Sequence, residues 1–187
     1  MIPTPVDAAR AARLRRTSAR IAWMLTALLV VLPAAIAVYV FGFPEAIPRH
    51  PWLTDLAIDP ALTQRPLAFG WSIAVFTVLL AGSAPRLFSI WAARRLFRDY
   101  AEGALFTPAA TLALRRIAFG ILASACVPPI GSTLLSSVLR AAGLTDDFMV
   151  TLTTDQIWLA VLGFVILGIA QVMREAVAIA EDNAGIV

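Results

Sequence analysis

Lysine is absent from this chain of 187 residues, cysteine and histidine occur once each, and charged residues make up only 14% of it. Each scarcity excludes something. A single cysteine, Cys126, closes no internal disulfide, so the chain is no disulfide scaffold and its redox compartment is not legible. A single imidazole, His50, with only scattered carboxylates around it in sequence, is a weak metal-ligand set, and a solvated histidine is expected there. With 60% hydrophobic residues, too little polar residue remains to cover a soluble globule of this length. All 15 cations are arginine, which together with the alanine richness suggests a GC-rich bacterial genome, an inference about codon usage rather than physics.

What the chain has instead is four apolar runs, 21–43, 67–90, 117–138 and 157–173, each near the ~20 residues a helix needs to cross the hydrocarbon. Lipid offers no partner to backbone N–H and C=O groups, so spans of this length must be helical. The expected fold is an all-α membrane protein: a basic N-terminal segment, 1–20, then one membrane domain, 21–187, forming a four-helix transmembrane bundle. Eleven of the 15 arginines fall before the first run, between the second and third, or after the fourth, and a twelfth, Arg86, lies at the adjoining end of the second run. The positive-inside rule therefore puts the N and C termini and the middle segment in the cytoplasm, with the chain a multi-pass protein of the bacterial inner membrane. The basic balance of +3 has this topogenic explanation first, so no direct nucleic-acid binding is expected. Trp23 and Trp91 mark inner ends of spans, and Tyr39, Trp71 and Trp158 outer ends. A cleaved signal peptide competes for the N-terminus, since Ala35-Ile36-Ala37 imitates a cleavage site; the continuation of the apolar run to Phe43 favours a retained anchor.

Inside the four runs there is no Asp, Glu, Lys or His, although coupled transport needs ionisable groups at mid-depth. Arg86 lies near a span end, where its side chain snorkels to the headgroups. Pro128-Pro129-Ile130-Gly131 interrupts the third run and reads as a structural kink, although such breaks can also expose carbonyls to ions. The small residues Ser124, Ser132, Thr133, Ser136 and Ser137, and Gly163 with Gly168, suit close helix packing. Cys126 is expected to be a small apolar filler. The runs offer no nucleophile and base pair, no paired carboxylates and no metal-ligand spacing, so neither enzyme nor cofactor chemistry is expected. Of the outer connections, residues 44–66 hold five prolines and predict a turn-rich cap, and residues 140–156 predict at most a short helix.

The middle segment is more specific. From Pro85 the second span reads on as an amphipathic helix that Gly103 ends. Thr107 then serves as N-cap, Pro108 suits the first turn of the next helix, and Phe106 is placed as a staple. The run from Arg95 to Pro108, Arg-Leu-Phe-Arg-Asp-Tyr-Ala-Glu-Gly-Ala-Leu-Phe-Thr-Pro, followed by Leu114-Arg115-Arg116-Ile117, resembles the central signature of the bacterial membrane family known as domain of unknown function 2975. The tail Val172-Met173-Arg174-Glu175 through Glu181-Asp182-Asn183 is similar to its C-terminal signature. Ala109 and Ala110, and the ending Gly185-Ile186-Val187, depart from the usual pattern. The family has no established activity. Its members are commonly encoded beside a small helix-turn-helix regulator, so the resemblance implies a membrane partner that sequesters or regulates such a transcription regulator.

The residues expected to form a cytoplasmic interaction surface are Arg94, Arg95, Arg98, Asp99, Tyr100, Glu102, Phe106, Arg115 and Arg116 from the elbow, and Arg174, Glu175, Glu181 and Asp182 from the tail. Mixed charge beside aromatics suits a polar-rimmed interface. The bland alternative is that these arginines only fix topology and attract anionic lipid. Of other functional classes, a small transporter or channel subunit acting as a homo-oligomer is the alternative to the interaction protein.

Overall fold

The computed structural model describes residues 5–50, 69–104 and 107–184, with side chains from Ala12 onward except those of residues 48, 49 and 180–184. The elements are α1 (Pro5–Gly42), a 3-10 turn (Pro44–Arg49), α2 (Phe69–Glu102), α3 (Pro108–Ala141) and α4 (Thr154–Ala184), and no strand occurs among the described residues. Each helix contains a stretch long and apolar enough to cross a membrane: Ala12–Gly42, Phe69–Glu102, Pro108–Ala141 and Thr154–Ile179. The chain is therefore a multi-pass membrane protein by length and composition. Its exposed surface agrees, since Trp23, Val30, Trp158 and Val172 are each more than two-thirds exposed. In water such a surface would drive association, whereas acyl chains solvate it at no cost. The helices outrun the apolar stretches at several ends, because the basic segment from Pro5 continues into α1 and the stretch ahead of Ile117 is already α3.

Helix α3 is the most enclosed, with 39% of its apolar window buried against 6% for α1. Small residues explain this: Ala110, Ala113, Ala118, Ser132 and Ser136 let neighbours approach its backbone, and all are buried. The helix continues through Pro128 and Pro129. The run is thus one continuous helix, which a structural kink at the prolines permits, and the Ser132 hydroxyl donates to the Pro129 carbonyl at 3.1 Å.

The chain forms two compact units. One comprises residues 1–29, 86–122 and 161–187, the other residues 30–85 and 123–160. In the second, Val40, Ile47, Val75, Leu79, Leu135 and Leu139 form a buried cluster. Ile47 comes from the 3-10 turn, so the first proline-rich connection begins by folding back rather than lying loosely; residues 51–68 fall outside the described chain. The Tyr39 hydroxyl fixes this turn by donating to the Ala46 carbonyl at 2.7 Å. His50 stands edge-on to the Tyr39 ring at 6.0 Å and is half-buried, contrary to the solvated site expected. Burial lowers its pKa from 6.5 to about 4, so it is neutral at physiological pH.

The connection between α3 and α4 holds no helix. Gly143, at φ +73°, ends α3 with the Gly143 amide bonded to the Arg140 carbonyl and the Leu144 amide to that of Leu139. Residues 147–153 then run without regular secondary structure, and the hydroxyls of Ser132 and Ser136 accept the Thr151 and Met149 amides at 2.9 and 3.4 Å. These serines, expected to suit close helix packing, also clasp the connector. Cys126 is exposed rather than packed.

Candidate functional site

The α2–α3 turn and the elements around it belong to the first unit, and local sequence builds it from both sides. Gly103 takes φ +95°, the Gly103 amide bonds the Tyr100 carbonyl at 3.1 Å and the Ala104 amide bonds that of Asp99 at 2.9 Å. This pair of bonds is the glycine-terminated helix end that satisfies the last carbonyls of α2. Four residues on, the Thr107 hydroxyl accepts the Ala110 amide at 3.2 Å, and Pro108 opens α3. Beneath the turn, Leu96, Ala110 and Ala113 are buried, with Tyr100, Leu114 and Ile117 against them. Of the two alanines after the Thr-Pro, Ala109 is exposed and Ala110 wholly buried.

The arginines divide by what they touch. Arg94 donates from Nε to the Thr26 hydroxyl at 2.7 Å, and Thr26 in turn donates to the Ala22 carbonyl at 2.8 Å. Arg94 therefore ties α2 to α1, a bond to a charged group worth about 1.5–3 kcal/mol. Arg116 lies over the Trp91 ring at 5.9 Å, and the Ser89 hydroxyl donates to the Ile117 carbonyl at 3.3 Å, so the same register joins α2 to α3. Arg15 packs its guanidinium on the turn, with Nη2 2.9 Å from where a Cβ on Gly103 would sit. That position favours a cation, because the C-terminal carbonyls of α2 carry partial negative charge.

The remaining side chains face outward. Arg95, Arg98, Glu102 and Arg115 are exposed, Asp99 half-buried. Arg98 and Glu102 approach to 3.9 Å with both side chains more than 60% exposed, a pair too solvated to matter much for stability. Arg115 sits 5.5 Å over the Phe119 ring, one turn along its own helix. In α4, Glu175 accepts from Gln171 at 2.9 Å and from Arg174 at 3.3 Å. Phe106 lies outside the described residues. Glu181 and Asp182 lie on the described helix, but their side chains do not belong to the described set. The predicted residues thus lie along the two helices that flank the turn, with Arg94 and Arg116 engaged in helix contacts and Arg95, Arg98, Glu102 and Arg115 exposed.

Arg15 and Thr26 are the partners that sequence reasoning missed. Thr26 carried a signal, as the one Ser or Thr of the first apolar run; Arg15 carried none beyond its charge. Along α4, Gly163 meets α3 closely: a Cβ there would sit 2.7 Å from Leu122 Cγ, while at Gly168 nothing lies within 4 Å. Only one of the two glycines is an interhelical contact. Beyond it a cleft of about 450 Å³ opens between α3 and α4.

Residues 9–187 match the family described as Protein of unknown function (DUF2975). The chain belongs to that family. No curated protein and no solved structure matches it. The two stretches that carried the resemblance thus sit inside a match covering nearly the whole chain, one of them at the capped α2–α3 turn and the other at the end of α4.

Proposed function

We propose that this DUF2975 protein is a non-catalytic membrane anchor whose α2–α3 turn, with the end of α4, docks a small cytosolic helix-turn-helix regulator. The observation that carries this reading is the capped turn itself. Gly103 ends α2 and Thr107 caps α3, so the exposed Arg95, Arg98 and Glu102 are presented on the last turns of a defined helix. The identity of the partner class rests on the family resemblance. The cytoplasmic placement rests on the arginine distribution: the helices form a bundle in a bacterial inner membrane with both termini inside.

The mechanism is electrostatic. Asp99, Glu102, Glu175, Glu181 and Asp182 engage a basic DNA-reading surface and compete with DNA for it, since such surfaces bind DNA largely through phosphate charge. Releasing the regulator then changes transcription without any chemistry in the membrane.

The test is recovery of the regulator with detergent-solubilised wild-type chain, compared with Asp99→Lys/Glu102→Lys, at moderate salt. Wild type should retain it and the double variant release it, with membrane insertion unchanged. Equal recovery with both, or none with either, rules the docking mechanism out.

A further inference from the structure

The cleft between α3 and α4 lies wholly within the first unit, and its volume of about 450 Å³ falls in the range of small-molecule sites. Its polarity is graded along the helices. The close contact of Leu122 with Gly163 fixes the register at one end. Moving away from that contact, the walls are first Phe119, Phe164 and Leu167, and then Arg115, Gln171 and Arg174. The spacing is helical on both sides: Thr111, Arg115 and Phe119 recur every fourth residue on α3, so they share one face.

The gradient matches a membrane's own. On α3 the stretch 117–139 is uncharged, and on α4 the stretch 156–173 is uncharged. Arg115 and Arg174 are therefore charges at the border of each stretch, at the headgroup level of one leaflet, while the phenylalanines lie on the hydrocarbon side. Phe119 and Phe164 are 48% and 63% exposed, so the cleft is open sideways to an acyl chain. Glu175, bonded to Gln171 and Arg174, offsets one of the two cations and leaves an excess of positive charge at the polar end.

We propose that this cleft is a binding site for one anionic phospholipid, a role that does not require the docking role above although Glu175 serves both. Arg115 and Arg174 hold the phosphate, the second amide hydrogen of Gln171 offers a further donor, and an acyl chain lies along Phe119, Phe164 and Leu167. A soluble anion would use only the polar end. A zwitterionic lipid carries a compensating cation that the excess positive charge opposes.

The experiment uses the full chain purified in a neutral detergent. Binding of dioleoylphosphatidylglycerol, dioleoylphosphatidylcholine and sn-glycerol 3-phosphate is followed by thermal stability and by native mass spectrometry. Phosphatidylglycerol should stabilise the protein and remain bound at one per chain; the other two should not. Arg115→Gln/Arg174→Gln should weaken phosphatidylglycerol binding about tenfold or more. Gly168→Leu keeps every charge and adds its side chain where no atom lies within 4 Å of a Cβ, so it should fold yet weaken binding comparably by filling the cleft. Unchanged binding to Gly168→Leu would mean diffuse charge attraction and overturn the site. Equal effects of phosphatidylcholine or of glycerol phosphate would also overturn it. So would a Gly168→Leu variant that loses a dimer seen by light scattering without losing lipid, since the cleft would then seat a second copy.

Discussion

Gly163 and Gly168 occupy the same helix, five residues apart, and the structure gives them opposite surroundings. Gly→Ala at either adds the same helix propensity, up to about 1 kcal/mol. At Gly168 nothing opposes that gain. At Gly163 the new Cβ would lie 2.7 and 2.8 Å from Leu122 Cγ and Cδ2 and 3.3 Å from the Leu122 backbone nitrogen, so α3 and α4 must part or Leu122 must leave its rotamer. Overpacking of this kind costs about 1–3 kcal/mol. With the propensity shared, Gly163→Ala should be less stable than Gly168→Ala by that amount. Reversible unfolding in mixed micelles, followed by tryptophan fluorescence as the denaturing detergent is raised, reads the difference directly. A cycle with Leu122→Ala locates the cause: removing Cγ and Cδ2 should recover part of the loss, and the backbone nitrogen limits the recovery. Gly163→Ala as stable as Gly168→Ala, or a cycle additive to within about 0.5 kcal/mol, would show that the close approach does not govern the contact.

Three further outcomes follow from single interactions. Gly103→Ala should cost about 1–2 kcal/mol, because a side chain is strained at its positive φ; Thr107→Ala should cost about 1 kcal/mol and Thr107→Ser almost nothing, all measurable by thermal unfolding in detergent. His50 has its pKa lowered by burial from 6.5 to about 4, so the unfolded chain takes up a proton first as the pH falls. Stability should be flat above pH 6.5 and decline towards pH 4, on the order of 1–2 kcal/mol after screening, and His50→Phe should flatten the profile. Arg94→Ala and Thr26→Val should couple by about 1–2 kcal/mol in a double-mutant cycle; additivity would mean the 2.7 Å bond ties nothing.

The architecture was legible because lipid leaves few choices: an apolar run of ~20 residues without charge must be a helix. The two ends of the α2–α3 turn were legible for a different reason, since Gly103, Thr107 and Pro108 act through their own backbone geometry and need no distant partner. What depended on distant partners was not. Nothing local says that Arg94 ends on Thr26, 68 residues away, or that Ser132 and Ser136 serve a connector as well as helix packing. Burial of His50 was equally hidden, because it follows from Tyr39 holding the 3-10 turn back. Gly163 and Gly168 looked alike in sequence, and only the register of α3 against α4 separates them. The cleft escaped for the same reason, its two arginines coming from different helices and its apolar wall from both.

The family-like stretch from Arg95 to Pro108 can be divided by what folding requires. Leu96 is buried under α3, Tyr100 packs beside it, Gly103 supplies the positive φ, and Thr107 with Pro108 starts the next helix. These positions would be needed in a protein whose turn did nothing but connect two spans. Arg95, Arg98 and Glu102 have no such role: they are exposed, and their one ion pair is long and solvated. Surface charges of this sort change stability by less than about 0.5 kcal/mol when replaced. Exchanging Arg95 and Arg98 for Gln should therefore leave the melting temperature within about two degrees of wild type, while Gly103→Ala lowers it measurably. If acidic charge docks a basic surface, removing the like-charged Arg95 and Arg98 should raise regulator recovery at full stability, and the second variant should lose recovery only in proportion to the unfolded fraction. A Gln variant that binds as wild type does would leave the turn as a connector, with its arginines explained by topology alone.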